Sequence, residues 1–369
     1  MIKRLLYLNG LAILGVLLYH ASGWGFVALF WWTDRYQAVS VPNFGQMGGA
    51  EYFLLRFIEQ LATAAVPAFL FVSGFFVAFA TGRSQRTIGW NVVGSRIKNL
   101  LIPYVFWSLA FFAVDAALGN AYSLAIYLRR LLLGQATESF YYVPLLVQFF
   151  LLSPLLVPIA RRRWKALLAV AAVVQLGLHL LRYLQYLGPD SLEIERVLGV
   201  ATSRFFPGHL LYFSVGLVIG FHLPAAKQLL ERYRWALLIA TPMLLILGMV
   251  EWDLLLRQSG QVWLAPAVTV VDDLYSLALV LTVLTFERVT LPLTKPMGDL
   301  GTRSYGIYLS NALVLMLAAK AIYRLMPGLL DQTLLFMAIL VALGLAVPLL
   351  MMALVNRTPA RRYYKYIFG

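Results

Sequence analysis

The sequence predicts an all-α membrane protein, a polytopic bundle of about ten transmembrane helices with both termini cytoplasmic. Three observations carry that expectation. The 369-residue chain is 61% hydrophobic and only 12% charged, with a mean hydropathy of +0.79; a soluble chain is about a quarter charged. Its apolar residues form runs long enough to cross a bilayer core, which takes about 20 helical residues. The charge of the connections between runs alternates along the chain. Barrel strands would alternate polar and apolar side chains, and these runs do not. No internal repeat, low-complexity segment or soluble domain interrupts the pattern, so residues 1–369 are expected to form a single transmembrane domain.

The first run, LLYLNGLAILGVLLYHASGWGFVALF from Leu5 to Phe30, is too long and too apolar for a surface helix. Lys3 and Arg4 precede it and should stay cytoplasmic. Its length makes it an uncleaved anchor and not a signal peptide. Further spans are expected at about 58–81, 98–118, 140–160, 164–182, 204–223, 235–250, 263–286, 303–326 and 333–356. A shorter run, Leu124–Leu133, contains Arg129 and Arg130 and reads as an interfacial helix.

Even-numbered connections should then be cytoplasmic and basic. They carry Arg83, Arg86, Arg96 and Lys98, then Arg161, Arg162, Arg163 and Lys165. Next come Lys227, Arg232 and Arg234 against Glu231, then Arg288, Lys295 and Arg303 against Glu287 and Asp299. The tail adds Arg357, Arg361, Arg362 and Lys365. Odd connections are mixed or acidic: Asp34 with Arg35; Asp190, Glu193 and Glu195 with Arg196; Glu251 and Asp253 with Arg257. Arg129 and Arg130 are the exception. The outer connections at about 31–57 and 183–203 have the length of a lid or an acceptor groove, or are ordinary loops. Tryptophans near the expected ends, among them Trp24, Trp31, Trp107, Trp235 and Trp263, read as interfacial belts.

The net charge of +14 sits in these short connections. Orientation and contact with anionic lipid headgroups account for it, and nucleic acid is not an expected partner. The chain has no cysteine, which excludes disulfides, thiolate metal sites and a cysteine nucleophile. Its histidines are scattered without an HExxH pattern, so no zinc site is expected.

Polar side chains at membrane depth are costly and mark function. His20 should lie in the outer half of the first span and face the bundle, as a hydrogen-bonded core histidine or as a base in a polar cavity. Asn9 lies on nearly the same helical face, about 16 Å away. Asp272 and Asp273 fall inside the eighth run. Being adjacent, they cannot share a face. One is expected toward the cavity, to orient His20 or bind an acceptor hydroxyl; ion pairs to Arg204 or Arg56 are the structural alternative. His209 is a further cavity candidate or an interface histidine, and Glu59 and Gln60 are placed at the water-accessible start of the second span. At the cytosolic mouth of the third span, Arg96, Lys98 and Asn99 offer two cations and an amide to the phosphates of a donor such as coenzyme A. Alternatively they simply mark the inner side.

Five segments, in order, resemble the acyltransferase family 3 of integral membrane acyltransferases. They are LNGLAILGVLLYH ending at His20, PAFLFVSGFFVAF from Pro67, SRIKNLLIPYVFW from Ser95, SFYYVPLLVQFFLLSPLL from Ser139, and RSYGIYLSN ending at Asn311. The resemblance implies transfer of an acyl group, often acetyl, from cytoplasmic acyl-CoA to a hydroxyl of a sugar, lipid-linked glycan or other acceptor. It also implies a bacterial cytoplasmic (inner) membrane location. The family's opening motif, a basic residue, ten residues, then histidine, reads here from Asn9 to His20. Asn311 stands at the histidine of its SYGxYLxH segment and Ser139 at the histidine of its HLWFL segment. Val147 replaces an acidic residue, and Asn99 replaces the second arginine of an RxxR pattern whose first is Arg96.

The mechanism expected on this basis places coenzyme A phosphates on Arg96 and Lys98. His20 takes the proton of the acceptor hydroxyl. Asn9 or Asn311 donates a hydrogen bond to the oxyanion, and Asp272 or Asp273 fixes the imidazole. No metal is required. Because charged motif positions are neutral here, the alternative is a non-catalytic member: a carrier or translocator of a lipid-linked sugar, or an assembly subunit. An ion-coupled transporter using Asp272, Asp273 and His20 is disfavoured, since no inverted repeat is visible.

Overall fold

The computed structural model of the protein describes residues 1–82, 85–188, 191–200, 204–265, 269–286 and 289–369. Among them all regular structure is helical. The order is α1 (Ile2–Phe30), α2 (Ala50–Ala62), α3 (Ala65–Thr81), α4 (Trp90–Ala117), α5 (Leu124–Leu132), α6 (Tyr142–Arg162) and α7 (Trp164–Leu187). Then follow α8 (Leu192–Val200), α9 (Leu210–Phe221), α10 (Leu223–Ser259), α11 (Val270–Thr285), α12 (Thr294–Leu325), α13 (Thr333–Arg357) and α14 (Tyr364–Phe368). Among the described residues, 8 helical segments are long and apolar enough to cross a membrane: α1, Ala50–Thr81, α4, Glu138–Arg162, α7, α10, α12 and α13. Every expected run meets a helix, but Phe206–Phe221 and Val270–Thr285 are short, each about 24 Å long. Arg83, Asp190, Glu287 and Arg288 lie outside the described residues.

Several elements depart from expectation for local reasons. The second run is two helices, broken at Thr63 and Ala64. Pro67 lacks the N–H that would bond the Thr63 carbonyl. Because α2 begins at Ala50, Glu59 and Gln60 lie deep within it, 4% and 1% exposed, and not at a wet mouth. The connection at 183–203 contains α8. The short helix expected at Leu124–Leu133 forms as α5 and has no buried residue. Its Arg130 pairs with Asp115 at 3.3 Å and donates to the Gln135 and Ala136 carbonyls. The charge of Arg130 is thus satisfied locally, which accounts for one of the two cations where loop charge predicts none. Trp107 is buried, donating to the Ile367 carbonyl at 2.8 Å, and belongs to no belt.

The start of α11 is set by a cap. Thr269 accepts from the Asp272 N–H at 3.1 Å, Glu251 from the Val271 N–H at 3.0 Å and the Tyr183 hydroxyl from the Val270 N–H at 2.8 Å. Three N–H groups that a helix leaves unpaired are thereby satisfied. Asp272 and Asp273 then occupy the first turn, where negative charge complements the helix dipole.

Two parallel helix pairs meet backbone to backbone. A Cβ on Gly10 would lie 2.2 Å from the Met297 carbonyl oxygen, and one on Gly301 would lie 1.9 Å from that of Leu6. In the α3–α9 pair, a Cβ on Gly74 would lie 2.1 Å from the Phe213 oxygen and one on Gly216 1.9 Å from that of Phe71. Small residues permit this approach between membrane helices. We expect Gly74→Val and Gly216→Val each to destabilise the fold by about 1–3 kcal/mol. Thermal unfolding in detergent checks this, with Gly23→Ala as the control, since a Cβ at Gly23 meets nothing within 4 Å.

Candidate active site

The α1–α12 register continues from the glycine contact to His20 and Asn311. His20 Nδ1 lies 3.1 Å from Asn311 Oδ1. The Asn311 amide nitrogen donates to the carbonyls of Ile307 at 2.7 Å and Tyr308 at 2.8 Å. Both its N–H groups are therefore engaged with its own helix. The opposite amide orientation would set an oxygen against two carbonyls. Oδ1 is thus the acceptor and His20 Nδ1 carries the proton. In the neutral ring Nε2 then holds a lone pair. Nε2 has no hydrogen-bond partner among the described residues, and His20 is partly exposed.

Other elements surround this pair. Tyr19 stands edge-on to His20, ring centroids 6.1 Å apart, and lies within electrostatic reach of Glu59, Tyr141, Arg56 and Glu138. A single turn before α6, Glu138–Tyr141, is tied to α12 by the Tyr308 hydroxyl, which donates to the Ser139 carbonyl. The Ser139 Oγ is buried and has no partner among the described residues. Three positions of the resembled motifs, His20, Ser139 and Asn311, are thus drawn to one region from distant parts of the chain.

Two expectations about this region are corrected. Neither Asp272 nor Asp273 hydrogen-bonds His20. Gln60 donates to Asp272 Oδ1, and Gly248 leaves the space, since a Cβ there would lie 2.4 Å from Gln60 Nε2. Asp273 accepts from Gln175 at 2.7 Å and the Tyr212 hydroxyl at 2.5 Å, with His179 Nε2 at 2.7 Å. Successive residues on a helix diverge by about 100°, so each carboxylate faces a different neighbour. No ion pair joins either of them to Arg56, which pairs with Glu59. Secondly, Asn311 cannot donate to an oxyanion, because both its protons are engaged. Asn9 is about 16 Å along α1 from His20, and its Oδ1 is buried without a partner among the described residues.

On α4, Arg96 is half-buried and donates to the Phe76 carbonyl at 3.1 Å, with the Phe150 ring 5.7 Å away. Lys98 and Asn99 are exposed. His209 immediately precedes α9 and is partly exposed. Sequence reasoning missed the hydrogen bond between His20 and Asn311 and the Gln175–His179–Tyr212–Asp273 cluster. Thr269 three residues before Asp272 is the capping signature that would have placed both aspartates in a first turn.

A family model described as an acyltransferase domain, Acyl_transf_3, matches residues 3–353. Among curated proteins, the chain is 23% identical over 192 residues to the probable poly-β-1,6-N-acetyl-D-glucosamine export proteins of Staphylococcus aureus strains MSSA476, MRSA252 and MW2. Each match covers 51% of this chain and 52% of the relative, so the chain spans about half the length of the curated relatives it matches. No solved structure matches the chain.

Proposed function

Because the chain belongs to the acyltransferase family 3, we propose that it is a multi-pass membrane O-acyltransferase. It moves an acyl group, acetyl in the simplest case, from cytoplasmic acyl-CoA to a hydroxyl of a glycan or lipid-linked acceptor. In this reading the chain is one domain of ten spans in a bacterial inner membrane, with the basic ends of the helices and both termini inside. The observation that carries it is the His20–Asn311 pair, which leaves Nε2 as the ring's acceptor. Nε2 takes the proton of the acceptor hydroxyl. The oxygen bonds to the thioester carbonyl carbon, the C–S bond breaks, and the thiolate takes its proton from the imidazolium. The role of oxyanion donor is assigned to the unpartnered Ser139 hydroxyl, on the turn that Tyr308 ties to α12. Arg96, with one bond to a carbonyl and donors to spare, and the exposed Lys98 fit a polyanionic donor.

The test is transfer of labelled acetyl by the protein in liposomes, alongside its thermal stabilisation by acetyl-CoA. A ligand at about 100 times its Kd stabilises by about 2.7 kcal/mol, so a clear rise in melting temperature is expected. Arg96→Gln should reduce that rise. No rise at saturating acetyl-CoA, together with no transfer, sinks the reading.

A second reading has the same bundle carry or help assemble a glycan without donor chemistry. The export name of the Staphylococcus aureus relatives supports it, as do the neutral Asn9 and Ser139 where the resembled motifs carry a basic residue and a histidine.

A further inference from the structure

We propose that a pocket between α2 and α10 binds a hydroxyl of a neutral sugar through the unpartnered N–H groups of Arg56. The site lies at the end of the bundle away from the N-terminus. Arg56 is 2% exposed. Its Nη1 pairs with Glu59, whereas Nε and Nη2 are buried with no partner among the described residues. Buried donors left without an acceptor are costly and uncommon. The guanidinium lies over the Trp252 ring, 3.7 Å from its centroid, with Trp263 at 5.9 Å.

Beside Arg56 is a cavity of about 20 Å³ lined also by Tyr52, Phe53, Met249, Trp252 and Asp253. That volume admits about one oxygen atom with its protons, so it takes a single hydroxyl with the remainder of the ligand at the rim. The charges argue for a neutral ligand. Arg56 is matched by Glu59, and Asp253 by Arg257 at 2.7 Å. An anion would meet two carboxylates whose cations are already engaged. Donors and a rim carboxylate suit the hydroxyls of a pyranose, and the exposed Phe53 ring at the rim offers its C–H face a partner. A sugar held here would be the acceptor of the acyl group. That last step rests on the acyltransferase reading; the binding does not.

The experiment uses the full chain in lipid nanodiscs, without acyl donor, and saturation-transfer NMR with methyl β-D-glucopyranoside. The Arg56→Gln/Glu59→Gln double variant removes both charges together, leaving neither buried alone. It should raise the sugar Kd about fivefold or more, and Asp253→Asn about twofold, through lost hydrogen bonds. Inorganic phosphate should not displace the sugar. If the double variant does not fold, Asp253→Asn decides. Undiminished binding in the variants, no binding by the wild type at millimolar sugar, or displacement by phosphate each overturns the proposal. Acetyl transfer measured in parallel separates the two readings. Sugar binding lost in the variants but without transfer in the wild type leaves the pocket and removes the enzyme; transfer without sugar binding does the reverse.

Discussion

Replacing His20 by glutamine is expected to lower acyl transfer about 10²–10⁴-fold, the range that a positioned general base supplies. Glutamine has nearly the reach of imidazole and can still donate to Asn311 Oδ1, so the α1–α12 contact should survive. What disappears is the basic nitrogen. Stabilisation by acetyl-CoA should be unchanged, because the proposed donor contacts, Arg96 and Lys98, are on α4. Steady-state transfer in liposomes should therefore show a loss in kcat with KM for the donor little altered. Full transfer by both His20→Gln and His20→Ala would remove His20 from the chemistry.

The second large effect is expected at Asn311, acting through His20. Asn311→Leu deletes the acceptor that holds the proton on Nδ1, and the ring becomes free to rotate or to take the other tautomer. A loss of about 10–100-fold is expected, as for partners that orient a reacting imidazole elsewhere. Asn311→Gln keeps both an amide oxygen and the donors that Ile307 and Tyr308 accept from, and should retain more of the activity than Asn311→Leu. A purely structural asparagine would give a different result: both variants would lower the yield of folded protein, and neither would change kcat per folded molecule. The kcat of the folded fraction, with the pH profile of transfer, distinguishes the two.

The helical architecture was legible because lipid leaves a chain few choices. Runs of apolar residues announce spans, and loop charges announce sides. The short α11 was misjudged because hydropathy does not report caps: Thr269 starts the helix, so Asp272 and Asp273 are first-turn residues and not mid-span ones. The break before α3 follows from Pro67, but hydropathy runs straight through it. His20 was found because an imidazole in an apolar run stands out. That Asn311 accepts from it was not legible, since whether an asparagine gives or accepts depends on what surrounds its amide. Arg56 attracted notice only as an ion-pair candidate, because burial and unpartnered donors are properties of packing.

The contact of Gly10 and Gly301 with opposing backbone carries a mechanical consequence. Helices joined through side chains can slide as rotamers adjust; peptide planes pressed together cannot. With α1 and α12 in backbone contact, the imidazole and its amide partner are fixed relative to each other. If the protein transfers acyl groups as proposed, any motion that admits a bulky alcohol would come from the remainder, where α2 and α10 meet through long side chains.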